Sequence, residues 1–319
     1  MREDAVTFFS NGSRVAGLLR LPEESVPGPY PAIVQGPGWL QLKEAKRNPP
    51  YHRAFTEAGF AVLVIDFRGF GESEGDDLDL LPDRWLEDLV NAVTYLTTRP
   101  DIDRYAIGTF GSGSTGGGNV VRLLAADPRV SCGVAQSPIS DGADWLRRMR
   151  REYEWYELLA RLEEDRRRRV LEGTGALVHP RGDIMVITPE RTERETKKDV
   201  EDKHVHLVSL RSAEAILAYR PIDVAGSVSN LLVVGVEDDA VTPTDHAVAL
   251  YERANHPKKL IIQRRSGHYA AYDKYAAIVI PAMVDWYVSH IRRGPVDVWT
   301  SGQAQTASFV SLDESGKPA

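Results

Sequence analysis

The chain has 319 residues, of which 42% are apolar and 27% charged, an ordinary soluble composition. Its net charge of −7 argues against nucleic acid as a partner and against attraction to anionic lipid. No run of about 18 consecutive apolar residues occurs, so we expect no membrane span.

The first predicted element is a β-hairpin. Asn11-Gly12 separates two apolar runs, Ala5–Ser10 and Val15–Leu21, and this dipeptide is a strong hairpin signal. The charged N-terminus lacks the apolar segment of a signal peptide. The single cysteine, Cys132, excludes an internal disulfide and lies in an apolar strand-like run. Together these features favour a cytoplasmic protein.

Predicted strands and helices then alternate along the chain. The strands are predicted at Ala32–Gln35, Ala61–Ile65, Ala106–Phe110, Val130–Gln136, Leu231–Val236 and Leu260–Gln263, and the helices at Tyr51–Ala58, Pro82–Thr98, Gly116–Ala126, Pro243–Ala254 and Tyr275–His290. This alternation predicts an α/β fold with a mostly parallel central sheet flanked by helices. In such sheets, functional residues gather at the carboxyl ends of the strands.

The alternation breaks between residues 141 and 220. This stretch opens with arginine-rich helical sequence and becomes irregular after Gly173. We interpret it as a largely helical cap insertion over the active site of a core made of residues 1–140 and 221–293. The tail, 294–319, is polar and without periodicity, and we expect it to be loose or held by a partner subunit.

A turn of small residues, Gly111–Gly116, joins a predicted strand to a predicted helix. It resembles the Gly-x-Ser-x-Gly turn that raises a nucleophilic serine above a sheet. Ser114 is the predicted nucleophile because Gly116 follows at the right spacing. Ser112 stands where the pattern has its first glycine, and it remains the competing serine. A phosphate-binding loop fits less well, since no Lys-Ser or Lys-Thr closes the turn.

The partners of such a serine follow in the order acid, then histidine. Asp239 comes just after the strand Leu231–Val236 and is the predicted acid, with Asp238 as the alternative. His268 follows the last predicted strand and is the predicted general base, because an imidazole can accept and return the serine proton near neutral pH.

The other histidines have weaker claims to a role. Four are predicted on or beside surface helices, without a role: His52, His246, His256 and His290. Three lie in the insertion and could contact substrate: His179, His204 and His206. We predict no metal site, because His204-x-His206 is only a weak ligand pattern.

The developing oxyanion of acyl transfer needs two N–H donors. The backbone N–H of Thr115 is the predicted first donor. The second must come from Gly38 or Trp39, since Pro37 has no N–H. We favour Trp39, whose ring would also line the acyl pocket.

With these residues placed, the sequence resembles the α/β-hydrolase superfamily, in particular its dienelactone-hydrolase, acetyl-xylan-esterase and X-Pro-dipeptidyl-peptidase-like branch. Four motifs carry the resemblance: Asp66–Ser73, Ile107–Gly111, Pro37-Gly38-Trp39 and Ser266-Gly267-His268. The resemblance covers about residues 5–140 and 221–292. The Pro-Gly-aromatic loop also resembles that of fungal polyketide acyltransferases and thiohydrolases.

We therefore expect hydrolysis of a carboxylic ester or related acyl bond through an acyl-enzyme, without a cofactor. Four aromatic residues of the insertion would bind a small apolar or aromatic substrate: Trp145, Tyr153, Trp155 and Tyr156. A nearby arginine cluster, Arg147–Arg151, could bind a substrate carboxylate. Acyl transfer, thioester hydrolysis or C–C bond hydrolysis by the same residues remains open, as does a non-catalytic binding protein. A homodimer is also compatible with the sequence.

Overall fold

The structure is a computed structural model that describes residues 1–75, 79–196, 207–291, 298–301 and 307–310, the last two stretches and residues 194–196 by backbone alone. Predictions for His204 and His206 lie outside the described residues. The strands are β1 (Arg2–Ser10), β2 (Ser13–Leu21), β3 (Tyr30–Gln35), β4 (Ala61–Ile65), β5 (Ile102–Ser114), β6 (Val130–Pro138), β7 (Leu177–Val178), β8 (Val208–Ser209), β9 (Leu231–Val236), β10 (Lys258–Gln263), β11 (Val298–Ser301) and β12 (Ala307–Val310).

In chain order, the described helices are α1 (Asn48–Glu57), α2 (Pro82–Thr97), α3 (Thr115–Ala126), α4 (Gly142–Arg148), α5 (Glu152–Glu172), α6 (Pro189–Thr196), α7 (Arg211–Leu217), α8 (Pro221–Val224), α9 (Thr244–Arg253), α10 (His268–Tyr272) and α11 (Ala276–His290). Within the described ranges, no helix has both the length and the apolarity needed to cross a bilayer.

Eight strands form one sheet in the order β1-β2-β4-β3-β5-β6-β9-β10. The hairpin β1–β2 is antiparallel, as is the pairing of β2 with β4, and every other pairing in this sheet is parallel. All five residues of β4 are buried, as expected for an apolar strand covered by helices on both faces. The predicted α/β fold with a mostly parallel sheet is confirmed.

Strand β5 is longer than its apolar core predicts. It continues past Phe110 to Ser114, because its small residues keep pairing with β6 as far as Ser114 opposite Pro138. Helix α3 begins at the next residue, Thr115. The chain thus passes from strand to helix without a loop, and Ser114 lies at the junction.

The segment between β6 and β9 contains α4 to α8 and the two-residue strands β7 and β8, which pair antiparallel. Part of the stretch expected to be irregular after Gly173 is therefore regular. The tail also contains regular structure, since β11 and β12 pair antiparallel where no periodicity was visible.

Two histidines predicted on surface helices are buried, and that prediction was wrong for them. His52 is fully buried, with its ring nitrogens against Arg20 and Gln35. His246 is 2% exposed, and it accepts a hydrogen bond from the backbone N–H of Ser140 at 3.0 Å while its Nε2 contacts Asp144 at 2.8 Å. Periodicity placed both residues on helices, but it did not reveal the polar partners that permit burial.

Candidate active site

Loops at the carboxyl ends of β3, β5, β9 and β10 meet above one edge of the sheet. Trp39 follows β3, Ser114 ends β5, and His268 follows β10, and all three line one small, open cavity. Asp239, which follows β9, lies directly behind His268. The parallel strand order thus brings together residues that are far apart in the chain.

The backbone of Ser114 has an uncommon conformation, with φ 49° and ψ −104°. Positive φ is unusual for a residue with a side chain, and such strain is concentrated at functional sites. The side chain is 2% exposed, and its hydroxyl lies 3.0 Å from Oγ1 of Thr242. Among the described residues this is the only hydrogen-bond partner of the hydroxyl, so in this state it does not bond to His268.

Glycines allow the close packing around Ser114. A Cβ at Gly111 would lie 2.0 Å from the carbonyl oxygen of Gly116, and a Cβ at Gly38 would lie 2.4 Å from the carbonyl oxygen of Ser112. Since these distances are far below contact, a side chain at either glycine would push the turn apart. The tight approach of strand to helix occurs at Gly111, which explains how Ser112 is accommodated in place of the usual glycine.

His268 and Asp239 form a buried pair. Nδ1 of His268 lies 2.7 Å from Oδ2 of Asp239, and the two side chains are 5% and 0% exposed. The other carboxylate oxygen of Asp239 accepts hydrogen bonds from the backbone N–H groups of Val241 and Thr242, at 2.8 and 2.6 Å. These bonds fix the carboxylate, and the carboxylate fixes the imidazole so that Nε2 is left for another partner.

Two tyrosines hold the ring of His268 from its sides. The rings of Tyr269 and Tyr272 each lie 5.0 Å from the imidazole, both nearly perpendicular to it. Asp238, the alternative acid, is exposed, and its backbone N–H bonds to Ser266. The geometry therefore places Asp239, and not Asp238, beside the imidazole.

Two backbone N–H groups are available beside Ser114. Thr115 is the first residue of α3, where a backbone N–H has no acceptor within the helix. The N–H of Trp39 donates to no acceptor among the described residues. A Cβ at Gly116 would lie 2.9 Å from Cα of Gly38, so the Pro37–Trp39 loop rests directly on the start of α3.

A buried ion pair anchors this loop. Asp66, at the end of β4, accepts hydrogen bonds from the backbone N–H and from Nζ of Lys43, at 2.8 and 2.9 Å. Both side chains are nearly inaccessible. The Asp66–Ser73 motif thereby fixes the chain just after Trp39, which is a structural role.

The structure does not bring the predicted aromatic residues of the insertion to the cavity wall. Trp145 is fully buried, donates to the carbonyl oxygen of Val241 at 2.7 Å and packs edge-on against Trp39. Tyr153 and Tyr156 are more than half exposed on α5. Trp155 packs against the core with Arg147 over its ring. Trp145 therefore reaches the cavity through two residues that line it, Trp39 and Val241.

Three arginines of the insertion's cluster, Arg147, Arg148 and Arg150, bind elsewhere, and Arg151 is exposed. Arg147 pairs with Glu152, and Arg148 pairs with Asp144 and Asp245. Arg150 donates to the backbone carbonyl groups of Leu146, Asp183 and Ile184, and burial lowers the pKa of its guanidinium. These residues support the fold of the segment.

Three other arginines line the cavity, and the sequence did not single them out. They are Arg47, which precedes α1, Arg181, which follows β7, and Arg191 on α6. For Arg47, the one sequence signal that could have predicted a place in the cavity wall was its position soon after the predicted oxyanion loop. Nothing in the insertion's sequence distinguished Arg181 or Arg191 from its many other arginines.

The fold and the arrangement of serine, histidine and carboxylate above the sheet define an α/β-hydrolase. The family model for the X-Pro dipeptidyl-peptidase (S15 family) matches residues 11–269. The chain therefore belongs to this family of hydrolases. Within the described residues, no group of three or more potential ligands could hold a metal ion.

Similar proteins cover nearly the whole chain. An uncharacterized 31.7 kDa protein of Escherichia coli is 28% identical over 283 residues, which is 87% of this chain and 96% of that protein. The structure of DcsB in complex with its substrate analogue superposes with a TM-score of 0.76 at 20% identity, over 91% of this chain and 99% of the other. GrgF from Penicillium sp., described as an α/β hydrolase, gives 0.74 at 22% identity over 91% and 99%.

Proposed function

We propose that the chain is a serine hydrolase that cleaves a carboxylic ester, or a related acyl bond, of a small molecule through an acyl-enzyme. Ser114 is the nucleophile, His268 the general base and Asp239 the residue that orients His268. The observation that carries this proposal is the strained Ser114, which shares a cavity with an imidazole held by a buried carboxylate.

In the proposed reaction, the Ser114 hydroxyl first turns from Thr242 toward Nε2 of His268. The oxygen attacks the substrate carbonyl carbon while its proton passes to Nε2, and the carbonyl oxygen becomes an oxyanion. The backbone N–H groups of Thr115 and Trp39 stabilise this charge. The tetrahedral intermediate then expels the alcohol, which takes the proton from His268 and leaves an acyl-enzyme.

Water completes the reaction by the same steps. His268 takes a proton from the attacking water, a second tetrahedral intermediate forms, and Ser114 leaves with its proton restored. Asp239 keeps one tautomer of the imidazole in place and stabilises its charged form. The segment of residues 141–220 serves as a cap over this site, and in support of that role it contributes Arg181, Met185 and Arg191 to the cavity wall.

Acyl transfer to an alcohol or amine is the second candidate. The observation that favours it is the resemblance to GrgF, which is named a polyketide transferase and is 27% identical over 246 residues, 75% of this chain and 81% of that protein. The chemistry differs only in whether water or another acceptor attacks the acyl-enzyme. Product analysis with a competing alcohol separates the two, because an acceptor that outcompetes water identifies a transferase.

Labelling with a fluorophosphonate tests the nucleophile directly. The reagent should label the wild type and Ser112→Ala but not Ser114→Ala, and intact-protein mass spectrometry gives the stoichiometry. Labelling that survives Ser114→Ala and is lost in Ser112→Ala would overturn the assignment. A wild type that is not labelled at all would indicate a binding protein on a hydrolase scaffold.

A further inference from the structure

The charge of the cavity wall points to a feature of the substrate. Among the described residues that line the cavity, three are arginines, Arg47, Arg181 and Arg191, and none is an aspartate or glutamate. Of these, Arg191 is only 6% exposed. The charged side chains among these described lining residues are thus cationic, which favours an anionic ligand.

Two of these guanidinium groups lie close to the Ser114 turn and to the neighbouring Trp39 loop. Nη1 of Arg47 lies 3.7 Å from where a Cβ of Gly113 would be, one residue before Ser114. Nη2 of Arg181 donates to the carbonyl oxygen of Trp39 at 3.4 Å. An acyl group attached to Ser114 would therefore lie near positive charge.

The protein already orients the group nearest to Ser114. The guanidinium of Arg47 stacks over the ring of Tyr272, 5.0 Å from its centre. The carboxamide of Gln41, with its oxygen toward Arg47, accepts a hydrogen bond from Nη1 at 2.9 Å. An arginine held by stacking and by one hydrogen bond retains further N–H donors in a planar fork that matches a carboxylate.

The charges of these groups affect the pKa of Tyr269. Burial raises the pKa of its phenol, and the positive charges of Arg191, Arg47 and Arg181 oppose this rise. One carboxylate, that of Glu190, acts in the other direction and lies next to Gly267, beyond the cavity lining. These three arginines thus act on a phenol that itself lines the cavity.

An indole in the wall lacks an acceptor. Nε1 of Trp39 is buried and has no hydrogen-bond partner among the described residues. Trp39 lines the cavity, so a ligand oxygen that reaches this nitrogen would give the indole the acceptor it lacks.

Resting on the proposed function, we infer that the natural substrate is an ester or related acyl compound that carries a carboxylate, which Arg47, Arg181 and Arg191 bind while Ser114 attacks the acyl carbon. This replaces the expectation of a purely apolar or aromatic substrate. It also moves carboxylate binding away from Arg147, Arg148 and Arg150, whose side chains bond within the fold of the segment.

Two matched pairs of chromogenic esters test the inference. For the acyl side, mono-p-nitrophenyl glutarate is compared with p-nitrophenyl 5-methylhexanoate, in which an isopropyl group replaces the carboxylate. For the alcohol side, 4-carboxyphenyl acetate is compared with 4-isopropylphenyl acetate. The wild type should prefer the anionic member of one pair by about 10-fold or more in kcat/KM, since the isopropyl group cannot form the charge-assisted hydrogen bond of the carboxylate.

Variants then connect the preference to the cavity. Arg47→Gln and Arg181→Gln should each reduce the anionic-to-neutral ratio by about 10-fold, the expected loss for a charged hydrogen bond. Arg53→Gln, which removes an exposed arginine on α1, should leave the ratio unchanged. A wild type without preference in either pair, or variants that slow both members equally, would overturn the inference.

The outcome can be separated from that of the proposed function. Fluorophosphonate labelling reports on the nucleophile alone, so a labelled enzyme with no anionic preference overturns only the present inference. If labelling fails, calorimetry of glutarate binding to the wild type and to Arg47→Gln still tests the cavity. Binding that the substitution abolishes supports carboxylate recognition, and no binding to the wild type contradicts it.

Discussion

The side-chain oxygens of Ser114 and Thr242 lie 3.0 Å apart, within hydrogen-bond distance. Thr242 is itself 2% exposed, and its backbone N–H bonds to Asp239. The resting hydroxyl is thus bonded to a neutral group in the loop that also fixes the proposed acid. In the proposed reaction, it must exchange this bond for one to His268 before it attacks a carbonyl carbon.

Removing the competing hydroxyl should accelerate the reaction of Ser114. We expect Thr242→Val to raise the rate of fluorophosphonate labelling by about 2- to 10-fold, because a neutral hydrogen bond contributes about 0.5–1.5 kcal/mol. Thr242→Ser retains the hydroxyl and should label at the wild-type rate. Slower labelling of Thr242→Val would mean that Thr242 assists the serine instead of holding it back.

Asp239 should matter far more than its neighbour. Asp239→Asn preserves an acceptor for the backbone N–H groups but no longer selects the tautomer of His268, so kcat should fall by about 10³- to 10⁴-fold. Asp238→Asn changes an exposed side chain and should remain near wild type. Steady-state hydrolysis of a p-nitrophenyl ester measures both, and equal losses would contradict the pairing of Asp239 with His268.

The packing of the oxyanion loop predicts a severe effect of one added methyl group. In Gly38→Ala, the new Cβ would meet the carbonyl oxygen of Ser112 at 2.4 Å, and the loop carrying Trp39 must move. A displacement of about 1 Å in a catalytic group costs roughly 100-fold in rate, and we expect a loss of that size in kcat/KM.

A matched control is available for this substitution. Gly226→Ala places a Cβ no closer than 3.9 Å to any atom, so it should leave the rate unchanged. Thermal unfolding of both variants separates a displaced loop from general destabilisation. Wild-type activity of Gly38→Ala would show that the loop does not contribute to the reaction.

Acid should destabilise the fold through His52. Burial and the charge of Arg20 hold the pKa of this imidazole well below its usual value, so the folded protein keeps it neutral. The unfolded chain takes up the proton near pH ~6.5. Stability from this group is therefore present above that pH, and it is lost as the pH falls from there toward the depressed folded-state pKa.

The linkage can be measured by denaturant unfolding between pH 7 and pH 5, a range around the ordinary histidine pKa of about 6.5. One such group contributes a slope of up to about 1.4 kcal/mol per pH unit, and His52→Gln should remove that contribution. His179→Gln, at an exposed position, should keep the wild-type slope. Identical slopes in wild type and His52→Gln would show that the ring is not held neutral.

The core of the fold was predictable because its signals are local. The continuous apolar run of β4 and the Asn11-Gly12 turn each specify an element by themselves. Local sequence also predicted the positions of Ser114, Asp239 and His268, because each lies at or after the end of a strand. The parallel sheet then brings the three residues close together, because the carboxyl ends of its strands lie at the same edge.

The residues of the cavity wall could not be predicted, because no local sequence signal marks them. Arg181 and Arg191 reach the cavity through the path of a segment that has no motif, and the sequence around them resembles any charged, exposed stretch. Tyr153 and Tyr156 illustrate the converse error, because aromatic side chains near an expected cap do not have to face inward. Pairing between distant residues, such as Asp144 with His246, likewise leaves no trace in periodicity.

The two kinds of residue around the cavity come from separate stretches of chain. The serine, histidine and carboxylate follow β5, β10 and β9, whereas Arg181 and Arg191 belong to one continuous segment between β6 and β9. Changes in this segment can therefore alter substrate selectivity without altering the serine, histidine and carboxylate. Protein engineering could therefore exchange that segment to change the substrate preference, while the proposed catalytic residues stay the same.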